Sequence, residues 1–175
     1  MKYVKKIILI LTILISIGML SCYIYLMNVW KVDFTENEVK AFVSEIKDSE
    51  NLPNKFHQFY NVDSGNSLDR SVWEFLFNSF VKIQTHQPIS IWIARLKYIP
   101  KMEKRTFPKI MNIKLSLAQK IEKNTTSKER LNYVLNNIGF LNGQIGVRNA
   151  SKYYFEKEIS ELNDFEIASL NCNDE

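Results

Sequence analysis

An uncharged apolar segment near the N-terminus, residues 7–27 (IILILTILISIGMLSCYIYLM), limits most strongly what this chain can fold into. About 20 such residues in a helix span roughly 30 Å, which is the thickness of the hydrocarbon core of a bilayer. Tyr23, Tyr25 and Trp30 lie at the far end of the segment, where aromatic side chains favour the membrane–water interface. The segment is therefore predicted to be a transmembrane helix.

The charges on either side of this segment predict its orientation. Lys2, Lys5 and Lys6 precede it, whereas Asp33 and Glu36 follow it. Because positively charged flanks tend to remain in the cytoplasm, we expect residues 1–30 to form a cytoplasmic tip and an anchor in the cytoplasmic (inner) membrane. Residues 31–175 would then form one domain on the outer side, which is periplasmic or extracellular.

Two forms of processing compete with a retained anchor. A cleaved signal peptide usually has an apolar core of only about 7–15 residues, and the segment here is longer. Residues 19–22 (MLSC) weakly resemble a lipoprotein processing site, with Cys22 as the lipidated residue. The length favours the retained anchor, and either way the domain lies outside.

The charge and cysteine content of the exported part exclude several classes of protein. Three of the 23 basic residues precede the apolar segment, which leaves 20 basic against 19 acidic residues. This near-neutral balance does not indicate a nucleic-acid partner. Cys22 lies in the predicted span and Cys172 near the end of the chain, so neither a disulfide framework nor a cysteine metal cluster is predicted.

Helix signals recur through the exported part, and the domain is predicted to be mainly α. Two capping boxes, Thr35 with Glu38 and Thr126 with Glu129, each precede an apolar stripe at helical spacing. Gly139 is predicted to end the second of these helices in a left-handed conformation. Residues 89–99 (ISIWIARLKYI) could be a helix or a buried strand, and periodicity does not decide between them.

One lysine lies in an unusual place on the helix predicted for residues 110–122. Its stripe consists of Ile110, Ile113, Leu117 and Ile121, and Lys114 falls inside that stripe at about 40° from Ile110 on a helical wheel. A buried cation is costly unless it is paired or lines a cavity. Either the side chain reaches out to solvent at the edge of the stripe, or it faces a cleft in which it could hold a phosphate or a carboxylate.

The aromatic residues on two further predicted helical segments, between positions 56 and 77, have two interpretations. They could form the core, which is the commoner role of such a cluster, or a surface that stacks on sugars or touches the membrane. The residues concerned are Phe56, Phe59, Tyr60, Trp73, Phe75 and Phe77.

Four consecutive motifs in the second half are similar to one protein family. They read SKERLNYVLN (127–136), GFLNGQIG (139–146), NASKYYFEK (149–157) and LNDFEIA (162–168). This order and spacing resemble the peptidoglycan transglycosylase domain of glycosyltransferase family 51, whose members show SKEEILExYLN, YFGxGxYG, AAxxYFGK and L-xx-AEAA. The resemblance is strongest over residues 110–170.

The resemblance implies a lysozyme-like helical domain behind one N-terminal transmembrane helix. It also implies polymerisation of a lipid-linked disaccharide-peptide at the outer face of the membrane. Two glutamates would carry this chemistry, one as general base and one assisting departure of the lipid pyrophosphate. Two carboxyl groups with different pKa values suit glycosyl transfer.

The positions that should hold these two glutamates differ in this chain. Asp63 is the carboxylate nearest to the first position, displaced by one residue, and is only a weak candidate for the base. The second position is occupied by Lys114. Because a lysine cannot replace a carboxylate's charge or proton chemistry, no intact catalytic residue is predicted.

These departures lead to a hypothesis about function. We expect a degenerate, membrane-anchored relative that binds or regulates a lipid-linked cell-wall precursor or another envelope protein, with Arg95, Lys114 and Asn136 as its substrate-binding residues. The alternative is an active peptidoglycan glycosyltransferase. A third hypothesis is a small interaction domain unrelated to the family, in which case the resemblance is a coincidence. No metal site or cofactor is predicted, apart from a divalent metal if the protein is active.

Overall fold

The computed structural model of the chain describes residues 2–65, 67–84, 86–104 and 106–171. Within these ranges the only β-structure is a single bridge between Gly139 and Ile145, so the predicted mainly α fold is confirmed. The α-helices are α1 (Lys2–Asn28), α2 (Glu36–Lys47), α3 (Asn54–Asp63), α4 (Val72–Phe80), α5 (Ile89–Tyr98), α6 (Phe107–Asn124), α7 (Ser127–Asn137), α8 (Val147–Phe155) and α9 (Asp164–Asn171). Short 3-10 helices follow α1, α5 and α7 at Val29–Val32, Ile99–Lys104 and Leu141–Gly143.

The first of these helices is long and apolar enough to cross a membrane. The candidate span covers Tyr3–Val32, and its apolar window has no buried residues. A helix whose apolar side chains are exposed along its length needs an apolar medium around it. The predicted N-terminal helix is therefore present, and by length and composition it is a candidate membrane span.

Both predicted capping boxes are present. The backbone N–H of Glu38 donates to Oγ1 of Thr35, and the N–H of Thr35 donates to the Glu38 carboxylate at 2.7 Å. Thr126 and Glu129 exchange the same pair of hydrogen bonds at the start of α7. These bonds satisfy N–H groups that have no partner inside a helix, which is why local sequence predicts these two helix starts.

The ambiguous segment at residues 89–99 is a helix, α5, that continues into a 3-10 turn. Ile89, Ile91, Ile93 and Ala94 are all buried. Because neighbouring residues on different sides of the helix are covered, no simple apolar period appears in the sequence. α5 lies along α6, and this pair forms the centre of the domain.

The prediction for Gly139 is wrong. α7 ends with Ile138 in an extended conformation, and Gly139 forms the bridge to Ile145 instead of a left-handed cap. The left-handed conformations come later in the turn, at Gly146 with φ of 79° and at Asn142 and Gly143. A Cβ on Gly146 would lie 2.5 Å from the carbonyl oxygen of Asn136. The glycine therefore permits the close approach that holds this turn against the end of α7.

The end of the anchor is part of the domain core. Trp30 is 1% exposed, and its backbone N–H donates to Oγ of Ser116 on α6 at 3.2 Å. Its indole N–H donates to the carbonyl oxygen of Met27 at 3.1 Å. These contacts join the end of the candidate span directly to the core of the domain.

Candidate functional site

Lys114 on α6 and Arg95 on α5 are two cations close enough for their charges to interact. Lys114 is half-buried on α6, and Arg95 is exposed on α5. Burial lowers the pKa of Lys114, and the nearby Arg95 guanidinium lowers it further. Among the side chains that the structure describes, no carboxylate forms an ion pair with Lys114. An anion placed between the two cations would relieve their repulsion.

Asp63 is not joined to this pair. It is the last residue of α3, its side chain is exposed, and α3 packs against α9. No contact among the described residues links it to Lys114 or Arg95. A catalytic base and its partner group must both reach one substrate, and the structure shows no contact that would hold Asp63 near the cations.

Asn136 supports a loop. Its side-chain amide donates to the carbonyl oxygen of Glu50 at 2.7 Å. Asn132, one turn earlier on α7, accepts from the backbone N–H of Leu52 at 3.3 Å and donates to Asn51 at 3.0 Å. The two amides thus fix the segment that leads into α3. The hydrogen bond to Glu50 is the side-chain contact that the structure shows for Asn136. A role of Asn136 in substrate binding stays a prediction.

Glu122 is the carboxylate of this region whose role the sequence did not indicate. It lies two turns after Lys114 on α6, and both of its oxygens accept the backbone N–H of Val72 at 3.1 Å. The hydroxyl of Ser90 on α5 donates to the same carboxylate. The carboxylate therefore accepts a backbone N–H in the first turn of α4 that has no partner inside that helix. This hydrogen bond connects α4 to the central helices α5 and α6.

A buried arginine lies near this carboxylate. Burial lowers the pKa of Arg130, and the charges of Glu122, Asp69 and Glu129 oppose that shift. The guanidinium donates to the carbonyl oxygen of Thr125 at 2.8 Å. The Glu122 carboxylate thus accepts from a backbone N–H and a hydroxyl and lies near this cation. The signal that could have identified it is a glutamate directly after the buried stripe residue Ile121.

The described residues offer no obvious metal site. No group of three or more His, Cys, Asp or Glu side chains lies close enough together to hold an ion within these ranges. His57 is half-buried on α3, and its pKa is lowered first by burial and then by Lys128, which favours the neutral ring. The cation at Lys114 also disfavours a divalent metal at that position.

Residues 90–172 match the family model of the transglycosylase domain. The match begins 20 residues before the strongest part of the resemblance in the sequence, and it includes Arg95, Lys114, Glu122 and Asn136. Asp63 and helices α1–α4 lie outside it. No curated protein sequence matches the chain. The recognised resemblance is thus confirmed, and the described residues of this part of the chain form the helices that the resemblance implies.

Proposed function

We propose that this chain, which carries a transglycosylase domain over residues 90–172, binds a lipid-linked cell-wall precursor without polymerising it. The observation that carries the proposal is the half-buried Lys114, placed beside Arg95 where the resemblance expects the second glutamate. The protein would act in binding or regulation at the cell envelope, either on the precursor itself or on the proteins that use it.

The charge of this position decides what chemistry it can support. A carboxylate can accept a proton from an attacking hydroxyl or assist a leaving group. An ammonium group beside a guanidinium repels positive charge and attracts an anion. A lipid-linked diphosphate is such an anion, so binding can persist after the proton chemistry is lost.

The neighbouring carboxylates do not supply the missing base. Glu122 is occupied by the N-terminus of α4 and by Ser90. Asp63 is exposed at the end of α3 and lies outside the family match. A displacement of about 1 Å can already cost on the order of 100-fold in rate, which disfavours a replacement at a shifted position.

The location of the protein follows from the anchor. We propose that the N-terminal lysines remain in the cytoplasm and that the domain lies on the outer side of the cytoplasmic membrane. Lipid-linked precursors are polymerised on that side by the enzymes that this domain resembles. The burial of Trp30 in the core supports a position of the domain at the membrane surface, close to the head group of a lipid-linked ligand.

An active glycosyltransferase is the second candidate, and the family match itself favours it. Glycan polymerisation should therefore be measured with the full-length protein in detergent, lipid-linked disaccharide-peptide and a divalent metal. A family enzyme with both glutamates is the positive control. We expect no polymer above background, and polymer formation by the wild-type chain would refute the proposal.

Binding is measured separately with the same precursor. Lys114→Ala should weaken precursor binding by roughly 10- to 150-fold, because a charge-assisted hydrogen bond contributes about 1.5–3 kcal/mol. Lys109→Ala removes an exposed cation from the first turn of the same helix and is the matched control. Equal affinity of wild type and Lys114→Ala would contradict the assignment of this site, even if no polymer forms.

A further inference from the structure

His57 on α3 is a half-buried histidine whose two ring nitrogens are covered without a hydrogen-bond partner. Nδ1 and Nε2 are both buried, and neither makes a hydrogen bond of normal geometry with a described residue. Buried polar atoms in proteins normally have such a partner. A neutral ring costs less free energy to bury in this way than a charged one, so the packing favours the unprotonated form.

The segment that leads into α3 is docked on α7 beside this ring. The side-chain oxygen of Asn132 accepts the backbone N–H of Leu52 at 3.3 Å, and its amide donates to the side chain of Asn51 at 3.0 Å. Nζ of Lys128 donates to the side-chain oxygen of Asn54 at 3.0 Å. Lys128 and Asn132 are also the α7 residues that interact with the ring. The histidine therefore lies where these docking contacts meet.

Burial and one neighbouring cation oppose a positive charge on this ring. Burial is the main cause that lowers the pKa of His57, and the Lys128 ammonium lowers it further. The backbone at Lys128 and Pro53 and the side chain of Asn132 act in the opposite direction, each with a smaller effect. A proton on the ring would thus place a second positive charge near the ammonium that holds Asn54.

The carboxylates of the surrounding elements have other partners. On α9, which packs against α3, Asp164 pairs with Lys55 of α3 and Glu166 pairs with another lysine. On α7, Glu129 caps its own helix. Before α3, Glu50 pairs with an arginine of α8, and the aspartate that ends α3 is exposed. Among the described residues, no carboxylate contributes to the pKa of the ring, so none offsets the Lys128 charge.

We propose that His57 is a pH-sensitive lock on the docked segment, residues 51–54. The unprotonated ring is compatible with docking, whereas a protonated ring beside the Lys128 ammonium favours release of the segment, which brings the ring into water. Because the pKa of the docked ring is lowered, the stability of docking is fully present above pH 6.5, the ordinary pKa, and is lost as the pH falls through the lowered value.

The surroundings of the domain give this lock something to sense. On the outer side of the membrane, where we place the domain, the ring would meet the pH of the medium, and histidine is the side chain whose charge changes in that range. The lock does not depend on whether the domain binds or polymerises a precursor, and its tests use no precursor.

Hydrogen exchange tests the release of the segment. The full-length protein in detergent is labelled at about pH 7.5 and about pH 5.5, and peptides covering residues 50–57 are compared with α6 after correction for the intrinsic rate. Their protection should fall in acid by up to about tenfold per pH unit below 6.5, because the released form binds one more proton.

Replacing each histidine provides the comparison for this experiment. His57→Gln keeps a neutral polar side chain and should remove the acid-dependent loss of protection. The chain has two histidines, and His86→Gln, which replaces the exposed one, should behave as wild type. The same loss of protection in wild type and His57→Gln would refute the lock.

The role of the neighbouring charge is tested by NMR titration of the ring. The C–H resonances of His57, assigned by their absence in His57→Gln, should titrate with a midpoint below 6.5. Lys128→Gln removes the cation and should raise this midpoint. Lys55→Gln, two positions before His57, removes a lysine paired with Asp164 and should leave the midpoint in place. A wild-type midpoint at or above 6.5, or no effect of Lys128→Gln, would overturn the proposal.

Discussion

Replacing Glu122 tests how far one side chain joins α4 to the rest of the domain. The carboxylate accepts the N–H of Val72 with both oxygens and the hydroxyl of Ser90 with one. Glu122→Gln keeps one oxygen acceptor but removes the charge and places an NH₂ group opposite a donor. Hydrogen bonds to a charged group contribute about 1.5–3 kcal/mol each, so we expect a loss of about 2–3 kcal/mol in the free energy of unfolding.

This loss is large enough to measure in detergent. For a chain of this size about 1 kcal/mol corresponds to roughly 2–4 °C in Tm, so Tm should fall by about 5–10 °C when unfolding is followed by circular dichroism. Because α4 loses its attachment to the core, the stacking of Trp73 on Tyr23 should also weaken, which is visible as a shift in tryptophan emission.

The control for this experiment is Glu156→Gln. Glu156 is an exposed residue directly after α8, and surface substitutions of this kind usually change stability by less than about 0.5 kcal/mol. If Glu122→Gln unfolds at the same temperature as Glu156→Gln, the carboxylate does not hold α4, and the reasoning from its hydrogen bonds is refuted.

Three further predictions concern single positions. Gly146→Ala should destabilise the domain by at least about 2 kcal/mol, because φ is 79° and the new Cβ would meet a backbone oxygen at 2.5 Å; Gly139→Ala, with open space around it, should have little effect in the same urea titration. Trp30→Ala should cost about 3–5 kcal/mol, since the ring is 1% exposed, and an unchanged midpoint would refute its place in the core. The backbone hydrogen bond of Thr35 is the main cause that lowers the pKa of Glu38 to about 2. The stability that the ionised Glu38 carboxylate contributes is therefore fully present above pH 4.5, its ordinary pKa, and is lost as the pH falls towards 2. The difference in free energy of unfolding between wild type and Glu38→Gln should therefore disappear as the pH falls to that value.

The sequence by itself determined the features whose causes are local. The candidate membrane span follows from length and composition, which are properties of one segment. The starts of α2 and α7 follow from capping boxes in which both partners lie within three residues, at Thr35 with Glu38 and at Thr126 with Glu129. The four motifs between residues 127 and 168 likewise indicated the transglycosylase domain, because the order and spacing of motifs can be compared without knowing how the helices pack.

The tertiary structure decided everything that depends on neighbours distant in the sequence. Periodicity could not assign α5, because its residues are covered from several sides by other helices. It also could not separate Phe56, which is fully buried, from Phe77, which is 65% exposed, since both are aromatic residues on amphipathic helices. The pairing of Lys114 with Arg95 and the capping of α4 by Glu122 join residues 19 and 50 positions apart. Such contacts arise only when helices pack, and the physical character of the site is therefore set by the packing of α4 and α5 on α6.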